Sequence, residues 1–434
     1  MRRRFRPLSW KARLLLLLLA AGGAVAGLLR TIHPATAALD VRQDVSLLAA
    51  GAPHFQRVLE LYTGARIEPG NAVELLRNGD GTYPRLWKDL RAAQGTITLQ
   101  SYYSQPGAVA DTLATILKER ARSGVRVLVL FDAFGSVTLG DDWLDSLRAS
   151  GVRVALLRPL RWHTIHGAAD RSHVRAVVVD GRIGYTGGFG LADYWQGNGH
   201  GKDQWRETNV RVEGPAALQL QAMFAAGWLE ATGELITGSG FIDPDAAWGA
   251  GPAAAGVLYT TTTTGSTAAE RFLVVGILSA RRTLFITNSY FVPNADFRRL
   301  LIEAVARGVD VRILTAGDNT DVSITRYAGR HVYEDLLRNG VRIYEYATAM
   351  MHAKTMSVDG EWASVGSMNF DNRSLAFNDE STLLICDPAI ASAADAMFFE
   401  DLRHARAITL DEFRQRSWWE RALEVGADLV SALL

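Results

Sequence analysis

The chain of 434 residues carries 46 basic and 46 acidic side chains, with 48% hydrophobic and 21% charged residues. That is the composition of a folded protein with room for two domains or one large duplicated one, and it excludes a disordered or wholly membrane-embedded chain. Without a net field a nucleic-acid partner is not expected. The single cysteine, Cys386, rules out an intramolecular disulfide and any cysteine-based zinc site.

Arg2, Arg3, Arg4, Arg6, Lys11 and Arg13 precede an uncharged run from Leu14 to Leu29. As a helix that run would extend about 24 Å, short for a bilayer core and long for a signal-peptide core. Residues 1–37 therefore read as an N-terminal hydrophobic helix serving as a membrane anchor, with a signal peptide cut near Ala35-Thr36-Ala37 as the alternative. Either way the basic flank points to a cytoplasmic start and a body on the periplasmic side of a bacterial inner membrane.

A long internal repeat follows. Ile97 to Tyr103 reads as a strand, Ala108 to Ser123 as an amphipathic helix, and Gly124 to Leu130 as a buried strand opened by a glycine stop. Leu284 to Tyr290, Asp296 to Arg307 and Gly308 to Leu314 repeat the order, as expected of βαβ crossovers in a parallel or mixed sheet. Each half then reaches a histidine: Ser172-His173-Val174-Arg175 runs into Ala176-Val177-Val178-Val179-Asp180-Gly181, and Met351-His352-Ala353-Lys354 into Thr355-Met356-Ser357-Val358-Asp359-Gly360. Gly187-Gly188 and Gly366-Ser367 follow at the same offset, so the two motifs are copies. The expected architecture is α/β, two halves (38–235 and 271–412) packed face to face around one shared active site. Residues 236–270, rich in Gly, Ala and Thr, form the connection, with an edge strand at the threonine run as the competing reading. The tail, 413–434, reads as a C-terminal helix packed on the domain; Trp418-Trp419 at a membrane interface is the alternative.

Side chains alternate along a strand, so His352 and Lys354 share a face, as do His173 and Arg175. A neutral imidazole beside a fixed cation suits attack on a phosphorus atom whose oxygens the cation binds. Two histidines can divide labour, one neutral to attack and one protonated to serve the leaving alkoxide. Each needs a carboxylate on its other nitrogen. Glu207, 34 residues after His173, and Glu380, 28 after His352, are the candidates. Gly187-Gly188 and Gly366-Ser367 let backbone approach a phosphate, while Ser367 and Asn369 add donors. Asp180 and Asp359 complete the His-x-Lys/Arg-x4-Asp pattern, and because Asp-Gly is a common turn pair, ending a strand is their preferred role over direct catalysis. No cluster demands a metal, and no cofactor is expected. His163, His166, His200, His331 and His404 have no counterpart in the repeat and read as structural or solvent-exposed.

These motifs resemble the phospholipase D superfamily, most closely its bacterial cardiolipin synthase branch, from about Gly70 to Arg421. Tyr290-Phe291-Val292-Pro293, Gly340 to Tyr346, Asp132 to Ser136 and Trp205-Arg206-Glu207-Thr208 carry the likeness beside the histidine motifs. The resemblance implies His173 as nucleophile, through a phosphohistidine, and His352 as acid. It implies Arg175 and Lys354 as phosphate clamps, Ser367, Asn369 and Gly188 around the substrate, and two phosphatidylglycerols yielding cardiolipin and glycerol at a membrane. The chain departs from the family at Arg175, where lysine is usual, and at Gly190, where asparagine is expected. Hydrolysis by the same intermediate, and lipid binding by a chain with a degenerate first motif, are the competing functions.

Overall fold

The computed structural model describes residue 22 and residues 48–159, 170–242, 249–261 and 267–431. The anchor or signal expected in 1–37, the residues His163 and His166, and most of the threonine run lie outside them. Among the described residues no helix is long and apolar enough to cross a membrane.

The first half runs α1 (Phe55–Thr63), β1 (Glu68–Arg77), α2 (Asn78–Ala92), β2 (Thr96–Ser101), α3 (Ala108–Arg122), β3 (Arg126–Asp132), α4 (Asp141–Arg148), β4 (Arg153–Leu157), β5 (Arg171–Ser172), β6 (Ala176–Val179), β7 (Ile183–Gly187), β8 (Trp205–Arg206), β9 (Thr208–Glu213) and α5 (Pro215–Thr232). The second runs β10 (Ala253–Thr260), α6 (Ala268–Ser279), β11 (Thr283–Asn288), α7 (Ala295–Ala306), β12 (Asp310–Ala316), α8 (Ser323–His331), α9 (Tyr333–Arg338), β13 (Arg342–Tyr346), β14 (Met350–Met351), β15 (Lys354–Val358), β16 (Trp362–Gly366), α10 (Asn372–Ala376), β17 (Asn378–Cys386), α11 (Pro388–Leu402), β18 (Ala405–Ile408), α12 (Leu410–Arg414) and α13 (Trp418–Asp428).

The two halves repeat one plan. The strand order β4-β3-β2-β6-β7-β9-β1 in the first is matched by β13-β12-β11-β15-β16-β17-β10 in the second, with β18 added at the far edge. Parallel pairs β2–β3 and β11–β12 are bridged by α3 and α7, whose buried Val109, Leu113, Ile116 and Leu117, and Phe297, Leu300, Leu301 and Ala304, recur at helical spacing. Strand β1 pairs with β10 through Glu68 and Asn71, shifts register there, and pairs with β9 from Ala72 onward. A bulge of this kind lets one strand pass between two sheets. Between the sheets Val178 and Val210 of the first half share a core with Val365, Leu383 and Ile385 of the second.

One segment differs from expectation. Residues 236–270 contain β10, an interior strand paired with both β1 and β17 rather than a plain connection or an edge. Its buried Ala255 and Val257 fill the space between the sheets with small and branched side chains, while Leu258 packs into the core of the second half. Within the tail, 413–434, one helix, α13, starts at Trp418, because Ser417 accepts from the Glu420 backbone N–H while Glu420 accepts from that of Ser417, a capping box that separates it from α12.

Candidate active site

Two short parallel pairs bring the halves together at the histidines. In the first, Ser172 of β5 lies opposite Asp379 of β17, and the His173 backbone N–H donates to the Asp379 carbonyl (2.9 Å). In the second, Met351 of β14 lies opposite Arg206 of β8, and the His352 N–H donates to the Arg206 carbonyl (2.8 Å). The next residue along each partner strand is a glutamate, so each histidine meets the carboxylate of the other half. His173 Nδ1 lies 2.9 and 3.0 Å from the two oxygens of Glu380, and His352 Nδ1 lies 2.6 Å from Glu207 Oε2. Sequence spacing had associated Glu207 with His173 and Glu380 with His352; the pairing is crossed. Both histidines and both glutamates are buried.

The two pairs are electrostatically unequal. Burial pulls His173 down to about 4, against the attraction of Glu380. Burial also tends to raise Glu380, but His173 and the hydroxyls of Ser367 and Ser374 outweigh it and hold the carboxylate below its usual range. Ser367 Oγ donates to Glu380 Oε2 at 2.5 Å. An ionised carboxylate only accepts, so the His173 ring proton sits on Nδ1 and Nε2 is free. In the other pair burial dominates on both members. Glu207 is pushed up to about 7 despite Lys354 and Arg175, and His352 is driven well below its ordinary value by burial and by Lys354, Arg175 and His173. That pair therefore holds one proton up to about neutral pH and loses it above.

The cations differ as well. Lys354 Nζ donates to Ser289 Oγ (2.7 Å) and to the His352 carbonyl, and burial lowers it to about 7. Arg175 is buried with its Nε and Nη1 unpartnered. Ile97 opposite Val179 and Leu284 opposite Val358 align β2 with β11, so Tyr102 stands where the second half has Ser289. Tyr102 packs edge-on to His173, with centroids 5.1 Å apart. A buried guanidinium with N–H groups that lack protein acceptors is suited to an oxyanion such as a phosphodiester.

Four of the residues named for the site are engaged by the protein itself, Asp180 and Asp359 in the strand-ending role that their Asp-Gly pairs point to. Asp180 Oδ1 accepts from the N–H groups of Gly95 and Thr96 (2.7 and 2.8 Å) and Oδ2 from Gln94 (2.9 Å). Asp359 repeats this with Arg282, Thr283 and Arg281. Asp180 and Asp359 have positive φ, as do Gly181 and Gly360, the signs of a type I′ hairpin turn, and each clamps its turn to the start of the neighbouring strand. Ser367 spends its hydroxyl on Glu380. A Cβ on Gly188 would lie 2.3 Å from a Glu207 oxygen, so that glycine makes room for a carboxylate rather than a phosphate. Asn369 Oδ1 remains unpartnered and buried.

Gly190 has a local explanation. A Cβ there would lie 2.5 Å from the Trp195 ring and 2.8 Å from the Tyr103 carbonyl. Trp195 takes the space, sets its edge against His352 (5.4 Å, 83°), and directs Nε1 to Glu207 at 3.4 Å. Trp205 lies over the same imidazole at 4.7 Å. No sequence signal ties Trp195 or Trp205 to the second histidine, which lies about 150 residues further along the chain. Ser289 and Tyr102 went unnoticed, although both close strands that the repeat had marked.

The chain is similar to known proteins over most of its length. A family model described as cardiolipin synthase, PLD-like domain, matches residues 86–228 and 273–402. A cardiolipin synthase of Geobacillus kaustophilus is 32% identical over 387 residues, covering 88% of this chain and 77% of that protein. Cardiolipin synthase A of Pseudomonas syringae pv. syringae is 34% identical over 350 residues, covering 79% and 71%. Among solved structures, a phosphatidylserine synthase of Haemophilus influenzae Rd KW20 superposes with a TM-score of 0.67 at 14% identity, covering 87% of this chain and 99% of that one, a likeness of fold.

Proposed function

The chain belongs to the phospholipase D-like family of cardiolipin synthases, and on that premise we propose that it is a phosphatidyltransferase working through a phosphohistidine. The observation that carries the mechanism is the unequal pair of crossed histidine–glutamate contacts. His173, with Nε2 free and Nδ1 held by an ionised Glu380, attacks the phosphorus of one phosphatidylglycerol. The P–O bond to the headgroup glycerol breaks, and the proton held by the His352–Glu207 pair passes to the departing alkoxide. A second phosphatidylglycerol then gives its primary hydroxyl proton back to that pair, and its oxygen displaces His173. Two phosphatidylglycerols become cardiolipin and free glycerol. Arg175 receives the phosphodiester oxygens on its open N–H groups, and Lys354 supplies charge from the other side.

Substrate and setting follow from the same reading: a phospholipid, with phosphatidylglycerol favoured, at a bacterial inner membrane with the body on the periplasmic side. The test is incubation of the purified chain with labelled phosphatidylglycerol, alongside His173→Ala and His352→Ala. Cardiolipin from the parent and none from either variant is the expected result. Phosphatidic acid alone would convert the transferase into a hydrolase. Unchanged turnover in His173→Ala would remove the covalent mechanism.

A further inference from the structure

Helix α13 is amphipathic the wrong way round for a helix on a water-soluble domain. Glu420, Glu424 and Asp428, spaced i, i+4, i+8, lie along one side, and that side faces the protein. Glu424 is 1% exposed and pairs with Arg416 (2.9 Å) and with Arg330 of α8 (3.5 Å); Asp428 approaches His331 of α8 at 3.9 Å. The opposite arc holds Trp418, Trp419, Ala422, Leu423, Val425 and Leu429, all exposed, with Trp418 and Trp419 stacked at 3.8 Å and each more than 60% exposed. Arg421, on the flank of that arc, is its one exposed charge. A surface helix normally buries its apolar stripe and hydrates its charges. Here the ion pairs hold the helix down so that the stripe points away.

We propose that this apolar arc is the surface by which the domain docks on the lipid interface from which its substrate is drawn; the choice of a lipid occupant rests on the reading of the protein as a phosphatidyltransferase. The chemistry of the arc selects that occupant. Tryptophan is favoured at the headgroup level, and an apolar face with a flanking cation is the pattern of helices that lie in the interface of anionic bilayers. Its position fits too. Ala427 packs with Val292 and Ala328, and Val292 lies two residues beyond Tyr290, whose ring faces the Lys354 ammonium. At the other end, Asn372 of α10 donates to the Ser431 carbonyl (3.2 Å), three residues beyond Asn369 of the site. The helix thus borders the site from the second half, and Ile324 in the first turn of α8 adds another exposed apolar side chain.

The test uses the full chain reconstituted in vesicles of phosphatidylglycerol and phosphatidylcholine. Leu423→Cys, made with Cys386→Ala to leave one thiol, carries an environment-sensitive fluorophore. A control label at Glu119→Cys lies at the end of α3 that leads into the start of β3, opposite the strand ends that bear the site. Brominated acyl chains are expected to quench the label at 423 at least twofold and to leave the label at 119 unquenched. No quenching at 423 overturns the proposal. So does a dimer in solution that Trp418→Glu with Leu423→Glu dissociates, because the arc would then belong to a second copy. The same double variant is expected to lose tenfold or more in turnover of vesicle phosphatidylglycerol while keeping its rate on a monomeric short-chain analogue; equal losses on both would also overturn it. A chain quenched at 423 but inactive on both substrates would sink the transferase reading and leave the docking surface standing.

Discussion

The crossed pairs make a prediction that separates the two glutamates by their chemistry. Glu207→Gln keeps the shape of a fully buried side chain but cannot store a proton, and it leaves His352, already driven far below its usual pKa, without the carboxylate 2.6 Å away. The reaction then loses its general acid. Such a contribution is typically worth about 10²–10⁴ in rate, or about 3–5 kcal/mol. Phosphatidylglycerol, whose leaving group is a primary alkoxide, should show that whole loss. Phosphatidyl-p-nitrophenol leaves as a stable phenolate and needs no proton, so its first-turnover burst should be close to the parent's. Glu380→Gln acts on the other step. It removes the charge-assisted contact that orients His173, worth about 1.5–3 kcal/mol, so the burst should fall about 10- to 100-fold whichever group departs. Stopped-flow release of p-nitrophenolate, set beside cardiolipin formation by mass spectrometry, measures both. Rescue of Glu380→Gln but not Glu207→Gln by the good leaving group would reverse the roles of the two histidines. Equal behaviour would refute the division of labour altogether.

Three further outcomes can be checked with the same protein. The pH profile of kcat/KM should be a bell. The acid limb lies near 4, where His173 gains a proton and loses its nucleophilic nitrogen, and the alkaline limb lies near 7, where the His352–Glu207 pair and Lys354 both lose theirs. A rate still rising above pH 8 would refute that assignment. Arg175→Lys places one ammonium where two N–H groups stand open, so turnover should fall about tenfold or more even though charge is kept, as measured by initial rates; full activity would show that the guanidinium fork is not used. Gly190→Asn, which restores the residue usual in the family, should lower stability by about 1–3 kcal/mol because its side chain meets the Trp195 ring, and thermal unfolding would report it.

Much of the fold was legible because the repeat doubles every signal. The strand–helix–strand units at 96–132 and 283–316 were marked by glycine stops and by apolar positions at matching offsets. The interior place of β10 was not legible, since its Ala-Ala-Ala-Gly start carries no strand signature and its partners are remote in sequence. Nor was the crossing of the histidine–glutamate pairs. It depends on β5 against β17 and β8 against β14, two-residue contacts too short to show periodicity, joining positions about 145 and 207 residues apart. The inverted face of α13 was hidden for a related reason. A helical pattern gives the angle between apolar and charged faces but not which one turns inward, and that was decided by Arg330 and Arg416.

Duplication builds two equivalent sites, yet a displacement that passes through a covalent intermediate needs two unlike ones. The structure shows how the equivalence was broken without disturbing the frame. The turns at Asp180 and Asp359 remain copies down to their three backbone contacts. Around the histidines, by contrast, the differences all act on charge. Tyr102 in place of Ser289 leaves Arg175 without the hydroxyl acceptor that Lys354 enjoys, so the first-half cation is open to a ligand. Gly190 in place of an asparagine admits Trp195, which covers His352 and Glu207 and seals that pair from water. Ser367, in turn, gives Glu380 a hydroxyl hydrogen bond that Gly188 cannot give Glu207. One carboxylate is thereby held below its usual range and the other is pushed up to about 7. The departures at Arg175 and Gly190 are then read more simply as the means of that asymmetry than as decay of the first motif.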